Sequence, residues 1–155
     1  MSSFTEFSAP LRIQYDKEAS EILGKDHWRV TESFRYFIGG KDTQQWVTVP
    51  AGYLTDGASV PRALWSIIPP WGPYGQAAVV HDLLCEYLSI VDNGRPKSIT
   101  RQRCDEIFNE AMIVLGVPSA TRAMIDDGVS LYRKVTGTNK PSNTPEKRQL
   151  ETIWQ

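Results

Sequence analysis

The stretch A-V-V-H-D-L-L-C-E-Y, residues 78–87, sets two ionisable side chains within an apolar run. Apolar residues are nearly continuous from Tyr74 to Leu88, which predicts a helix at the centre of the fold. The neighbours of His81 at helical spacing are apolar, so its imidazole points inward, whereas Asp82 lies about 100° further round the helix. Both side chains need partners, because burying an unpaired polar group is unfavourable.

The best partner for His81 lies on the next predicted helix, residues 100–115. Asp105 is followed at helical spacing by Phe108 and Met112, so its side chain also faces the apolar side of that helix. A short connection between two helices makes them antiparallel neighbours. We therefore predict a hydrogen bond between His81 and Asp105.

The predicted pair of His81 and Asp105 has a chemical and a structural interpretation. A carboxylate that accepts one ring N–H fixes the tautomer of the imidazole and leaves the other nitrogen free as a general base. The same two groups can instead form a hydrogen-bonded polar pair in the core, which is the commoner role of an inward-facing histidine. The sequence leaves both interpretations open.

Asp82 and an upstream turn supply the ligand types of a hard cation. The segment T-D-G-A-S, residues 55–59, places Asp56 before Gly57 in a turn that exposes backbone carbonyls. Calcium is bound by carboxylate and carbonyl oxygens. A metal held by Asp82, Asp56 and the Gly57 carbonyl would polarise a substrate carbonyl beside His81. Asp56 can instead cap its own turn.

Several side chains near these residues are candidates for contact with a substrate. Arg62 can hold an anionic head group or form a salt bridge with Asp56, and the sequence does not decide between these roles. Trp65 and Tyr74, together with Trp71, can form a lipid-facing collar around the site. Packing of the helices onto the strands is the more frequent use of such aromatic residues.

The first half of the chain has the pattern of strands and the second half that of helices. Strands at 28–38 and 45–50 flank the turn signal G-G-K-D and predict a β-hairpin. A short helix is predicted at 61–67, a polar loop at 89–99 and a third long helix at 120–135. The predicted fold is α+β, with an N-terminal β-hairpin or small antiparallel sheet packed on about three helices, including the antiparallel pair described above.

The length of 155 residues predicts a single globular domain over 1–137, followed by a polar, extended tail over 138–155. The net charge of −1 gives no electrostatic reason to expect nucleic-acid binding. No run approaches the ~18 apolar residues of a membrane span. The N-terminus lacks the basic and apolar regions of a signal peptide, so we expect synthesis in the cytoplasm.

Three segments resemble a family of phage and prophage proteins described only as domain of unknown function 1353. They are V-P-A-G-Y-L-T-D-G-A-S-V-P-R-A-L-W, P-P-W-G-P-Y-G-Q-A-A-V-V-H-D-L-L and R-Q-R-C-D-E-I-F-N-E-A-M-I-V-L-G-V. The resemblance covers about residues 47–135 and implies a viral or prophage origin. It leads us to expect a protein of the host cytoplasm, or of the virion, with phage virion proteins as partners.

The same segments are similar to the active-site region of the secreted phospholipase A2 superfamily. In that superfamily a calcium loop precedes a helix bearing H-D, and an antiparallel helix bears an orienting Asp. By this resemblance His81 activates water, Asp105 orients His81, Asp82 binds calcium, and Asp56 with the Gly57 carbonyl completes the calcium site. It implies a calcium-dependent hydrolase of acyl esters that acts at a lipid membrane surface.

Two cysteines, Cys85 and Cys104, are too few for a disulfide scaffold and are expected to be reduced thiols. They lie near the positions at which animal phospholipases A2 link the two helices by a disulfide. The resemblance therefore implies that Cys85 and Cys104 lie on facing helices.

Two other functions stay open. The chain can be a phage structural or tail-assembly protein in which the buried polar pair is not catalytic. It can also be a metal-dependent cell-wall hydrolase, although His27 precedes a strand and zinc hydrolases usually carry more His or Cys ligands than this chain offers.

Overall fold

The computed structural model describes residues 6–40, 43–56, 71–136 and 144–152, without the side chains of Glu6 and of residues 128–136. Within these ranges the chain forms eight strands and five helices. The strands are β1 (Glu6–Phe7), β2 (Ile13–Tyr15), β3 (Trp28–Val30), β4 (Phe34–Phe37), β5 (Gln45–Val49), β6 (Leu54–Thr55), β7 (Ser89–Asp92) and β8 (Arg95–Ser98). The helices are α1 (Lys17–Leu23), α2 (Gly75–Tyr87), α3 (Arg101–Val114), α4 (Ser119–Thr136) and α5 (Pro145–Thr152). The predicted α+β fold is confirmed.

The strands form two antiparallel sheets, one ordered β1-β4-β5-β7-β8 and one ordered β2-β3-β6. The predicted hairpin is present as β4 and β5, with Phe34 opposite Val49. The prediction of one strand over 28–38 is wrong, because a bend at 31–33 separates β3 from β4. After this bend the chain passes from the small sheet, where β3 pairs with β2 and β6, to the large one.

The segment 89–99 forms a second hairpin of the large sheet, where its polar composition predicts a loop. β7 pairs with β5, and β8 pairs with β7 as an exposed edge strand. Asn93 and Gly94 between them have φ angles of 52° and 76°. Positive φ at both residues gives a two-residue turn the twist that joins antiparallel strands. The polar side chains of this segment belong to a sheet edge, where charge discourages pairing with another chain.

α2 runs through the core, as its apolar run predicts, with 10 of its 13 residues buried. It packs against α3 on one side and against β5 and β6 on others. The hydroxyl of Thr100 caps α3 by accepting a hydrogen bond from the Arg103 amide at 3.0 Å. α3 then buries Ile107 and Phe108. The predicted antiparallel pair is confirmed.

The third predicted long helix, 120–135, is α4. The short helix predicted at 61–67 lies outside the described residues. In the part of the chain that the structure describes, none of the helices combines the length and the apolar character needed to cross a membrane.

The C-terminal region differs from the extended tail predicted for 138–155, because α5 covers Pro145–Thr152. The hydroxyl of Thr144 accepts a hydrogen bond from the Lys147 amide at 3.3 Å. A threonine cap followed by proline at the first helical position is a start signal for a helix. The start signal was missed because α5 is polar and lacks apolar spacing. The buried side chain of Lys147 attaches the helix to the rest of the protein.

Candidate functional site

The packing of α2 on α3 brings His81 and Asp105 together. Nε2 of His81 lies 2.8 Å from Oδ1 of Asp105, which confirms the predicted hydrogen bond. His81 is only 5% exposed. Because Nε2 is hydrogen-bonded to Asp105, Nδ1 is the ring nitrogen that remains for proton transfer.

The protonation state of His81 depends on the charge beside it. Burial by itself lowers the pKa of His81, but the Asp105 carboxylate and the Cys85 thiol outweigh that effect and raise this pKa to about 9. The imidazolium therefore predominates at neutral pH. Nδ1 becomes a base when the ring loses its proton, at higher pH or when another positive charge approaches.

The two cysteines lie at the same helix interface, on facing sides, as the phospholipase resemblance implies. Sγ of Cys85 lies 3.5 Å from Nε2 and 3.9 Å from Nδ1 of His81. Contact with the Cys104 thiol, together with burial, raises the pKa of Cys85 well above that of a free thiol. Neither Cys85 nor Cys104 forms a disulfide in the structure. Cys85 is thus a poor nucleophile, since the thiolate is the reactive form.

Asp82 and Asp56, the predicted carboxylate ligands, are also brought together. Asp56 follows β6, which packs on α2, and Thr55 donates a hydrogen bond from Oγ1 to Oδ2 of Asp82 at 3.0 Å. Burial and the neighbouring negative charge of Asp56 raise the pKa of Asp82 well above its usual range. Two carboxylates in one partly buried place repel each other, and a cation between them would relieve that repulsion.

The donor set of this region suits a hard cation. Oδ2 of Asp56 accepts a hydrogen bond from Lys25 at 2.6 Å, whereas its Oδ1 is buried and accepts none from the described residues. Asp82 and Asp56 can therefore each offer an oxygen. Among the described residues, no three His, Cys, Asp or Glu side chains form a metal-binding group. The third predicted ligand, the Gly57 carbonyl, lies outside them, so the calcium site stays a prediction.

The predicted substrate contacts fall partly outside the described residues, which include neither Arg62 nor Trp65. Tyr74 precedes α2 and is 3% exposed, as a member of the core. Trp71 packs edge-on against Trp28, with ring centroids 5.4 Å apart. For Tyr74 and Trp71 these positions favour helix packing over a lipid-facing collar.

A buried ion pair next to Asp82 is the feature that sequence reasoning missed. The ammonium of Lys147 on α5 pairs with Oε1 of Glu86, which lies one helical turn after Asp82 on α2. Lys147 and Glu86 are 8% and 6% exposed. A signal did exist for Glu86, because it lies among apolar residues in the same run as His81 and Asp82.

Comparison with known proteins gives a family but no activity. A 72-residue part of the chain, 45% of its length, is 52% identical to "Uncharacterized protein y4jT" of Sinorhizobium fredii (strain NBRC 101917 / NGR234), and it covers 19% of that protein. No solved structure matches the chain. Residues 28–129, which carry α2, α3 and the whole His81–Asp105 pair, match the family model described as "Protein of unknown function (DUF1353)". The chain belongs to this family.

Proposed function

We propose that this chain is a phage-related, calcium-dependent hydrolase of acyl esters that resembles phospholipase A2. The observation that carries the proposal is the 2.8 Å contact between Nε2 of His81 and Oδ1 of Asp105 across two antiparallel helices. Asp82 follows His81 on α2, and the negative charge of Asp56 lies near Asp82. A base oriented by an acid, with a cation ligand at the next position of the same helix, suits water-mediated ester hydrolysis.

The chemistry assigned to His81 is a proton transfer at Nδ1. Neutral His81 accepts a proton from water as the water oxygen bonds to the ester carbonyl carbon. Asp105 keeps Nε2–H in place and stabilises the imidazolium that forms. His81 then gives the proton to the alcohol oxygen as the acyl carbon–oxygen bond breaks, which yields a fatty acid and an alcohol. No covalent enzyme intermediate is involved, in keeping with the raised pKa of Cys85.

Calcium bound by Asp82, Asp56 and the Gly57 carbonyl would polarise the ester carbonyl and stabilise negative charge on its oxygen. The substrate proposed is a lipid ester at a membrane surface, met during phage infection or release.

Fatty-acid release from phospholipid vesicles in calcium tests this proposal. His81→Ala is expected to lose activity by at least about a hundredfold, since a general base contributes about 10²–10⁴ in rate. Glu106→Gln is the matched control, because Glu106 is exposed and follows Asp105 on α3. A His81→Ala protein that is folded by circular dichroism and cleaves lipid at the wild-type rate contradicts the proposal.

A phage structural protein is the second candidate, and the Lys147–Glu86 pair favours it. Both charges are buried and compensated within the chain, and His81 is held protonated against Asp105 at neutral pH. Such groups can define one packing of the helices without any reaction. If the protein is structural, calcium should not stabilise it, and substitution of Asp82 should not change its response to calcium.

A further inference from the structure

The helix α5 is attached to the body of the protein by polar contacts. Of its side chains, Lys147 is the buried one. Glu151 accepts a hydrogen bond from the Leu54 amide at 3.1 Å, and the Leu150 carbonyl accepts one from Arg29 Nη1 at 3.1 Å. A helix of eight residues is marginal in isolation, so α5 depends on these contacts.

The ammonium of Lys147 is surrounded by carboxylates and an aromatic ring, as a bound cation would be. Its ammonium pairs with Glu86, lies 3.7 Å from Oε2 of Glu151, and stands 4.5 Å from the centre of the Tyr53 ring. Burial by itself lowers the pKa of Lys147, but the negative charges of Asp82 and Glu86 outweigh burial and raise it. The side chain therefore holds a positive charge next to Asp82, on the same side of α2.

We propose that Lys147 is an internal counter-cation of the Asp82 site, and that a divalent cation bound at Asp82 competes with it and releases α5 from α2. This inference rests on the proposed function, because the added cation is the one assigned to that site. Two positive charges in a partly buried place repel each other strongly. Binding of the divalent cation therefore weakens the attachment of the Lys147 ammonium. Occupancy of the site is thereby linked to the position of the C-terminal helix.

Lys25 is a weaker competitor than Lys147. It lies 2.6 Å from Oδ2 of Asp56, but its side chain is 61% exposed, whereas that of Lys147 is 9% exposed. Exposed ion pairs contribute little and are readily replaced by ions from solution. The energetic barrier to a divalent cation therefore lies mainly at Lys147.

Hydrogen–deuterium exchange of the full chain, read by mass spectrometry over 145–152, tests the inference with calcium or magnesium alone as the probe. Lys147→Met keeps the aliphatic stem over Tyr53 and removes the charge. We expect exchange in α5 at least about tenfold faster without calcium, and calcium binding roughly tenfold tighter by calorimetry. Arg148→Met is the matched control, because Arg148 is an exposed cation on the same helix.

Calcium added to the wild type should speed exchange in α5, and magnesium should not. Glu86→Gln removes the negative partner of Lys147 on α2 and should also speed exchange in α5. This variant tests the inference if Lys147→Met does not fold. Unchanged α5 exchange in these variants, or calcium binding that leaves α5 protected in the wild type, overturns the inference. Failure of the hydrolase shows separately, as absent fatty-acid release while exchange and calcium affinity respond as expected.

Discussion

The imidazole of His81 stacks on the ring of Phe108, with ring centroids 4.4 Å apart and planes inclined by 20°. Asp105, one turn earlier on α3, takes Nε2 of the same imidazole. α3 thus fixes the ring by its face and by its edge, and the direction of Nδ1 follows from the packing of α2 on α3. Packing and site geometry can therefore be tested together.

Phe108→Ala should lower the free energy of unfolding by about 3–5 kcal/mol, because it removes a large buried side chain and leaves a cavity. Phe108 is 4% exposed. Urea denaturation at constant pH measures the change. Ile113→Ala is the control on the same helix, where a 47% exposed side chain should cost less than about 1 kcal/mol. Equal losses in the two variants would show that α3 does not pack on α2 through Phe108.

The stability of the protein should fall as pH rises through the titration of His81. A folded-state pKa of about 9 lies above the ordinary value of 6.5, so the folded protein binds this proton more tightly than the unfolded chain. The contribution is fully present below pH 6.5 and is lost as pH rises through about 9. The two pKa values correspond to about 3 kcal/mol at most.

Urea denaturation at pH 6 and at pH 9.5 measures this loss. His81→Gln is the comparison, since glutamine can still donate to Asp105 but does not titrate. The difference between wild type and variant should shrink as pH rises. A constant difference across this range would mean that Asp105 does not hold His81 protonated, and the activity of a hydrolase would then not need alkaline pH.

The pairing of His81 with Asp105 could be predicted because each residue lies in a long helix with clear apolar spacing. That spacing defines which side of the helix is buried, and a short connection places the two helices together. Lys147 could not be found in this way. Its partner Glu86 is 61 positions away, and hydrophobic periodicity carries no signal for a buried charge on a short polar helix.

The second hairpin could have been predicted from the sequence, since Asn93-Gly94 is a strong two-residue turn signal. The polar strand β8 concealed it, because edge strands need not alternate apolar and polar residues. The division of 28–38 between two sheets could not be predicted, because strand propensity does not specify which strand will be the partner.

Gly94→Ala should destabilise the protein by about 1 kcal/mol, because Gly94 has a φ of 76°, which is strained for a residue with a β-carbon. Among the described residues, apart from the chain neighbours of Gly94, none has an atom within 4 Å of an added β-carbon, so the effect isolates backbone strain from packing. Thermal unfolding measures it. Asn93→Gly is the control, since glycine accepts the φ of 52° at the neighbouring position. A Gly94→Ala protein as stable as the wild type would show that this turn differs from the one described.

Asp82→Asn should keep the fold and abolish stabilisation by calcium. An asparagine oxygen can still accept the hydrogen bond that Thr55 donates at 3.0 Å, and the repulsion between Asp82 and Asp56 disappears. The variant should therefore unfold, without calcium, at the wild-type temperature or slightly above it.

For the wild type, a calcium concentration of 100 times the dissociation constant adds about 2.7 kcal/mol of stability. Thermal unfolding with calcium, magnesium and chelator measures both effects. Asp92→Asn, at the end of β7, is the control and should respond to calcium as the wild type does. A wild type indifferent to calcium, together with an Asp82→Asn protein that is strongly destabilised, would favour a structural polar cluster over a hydrolase.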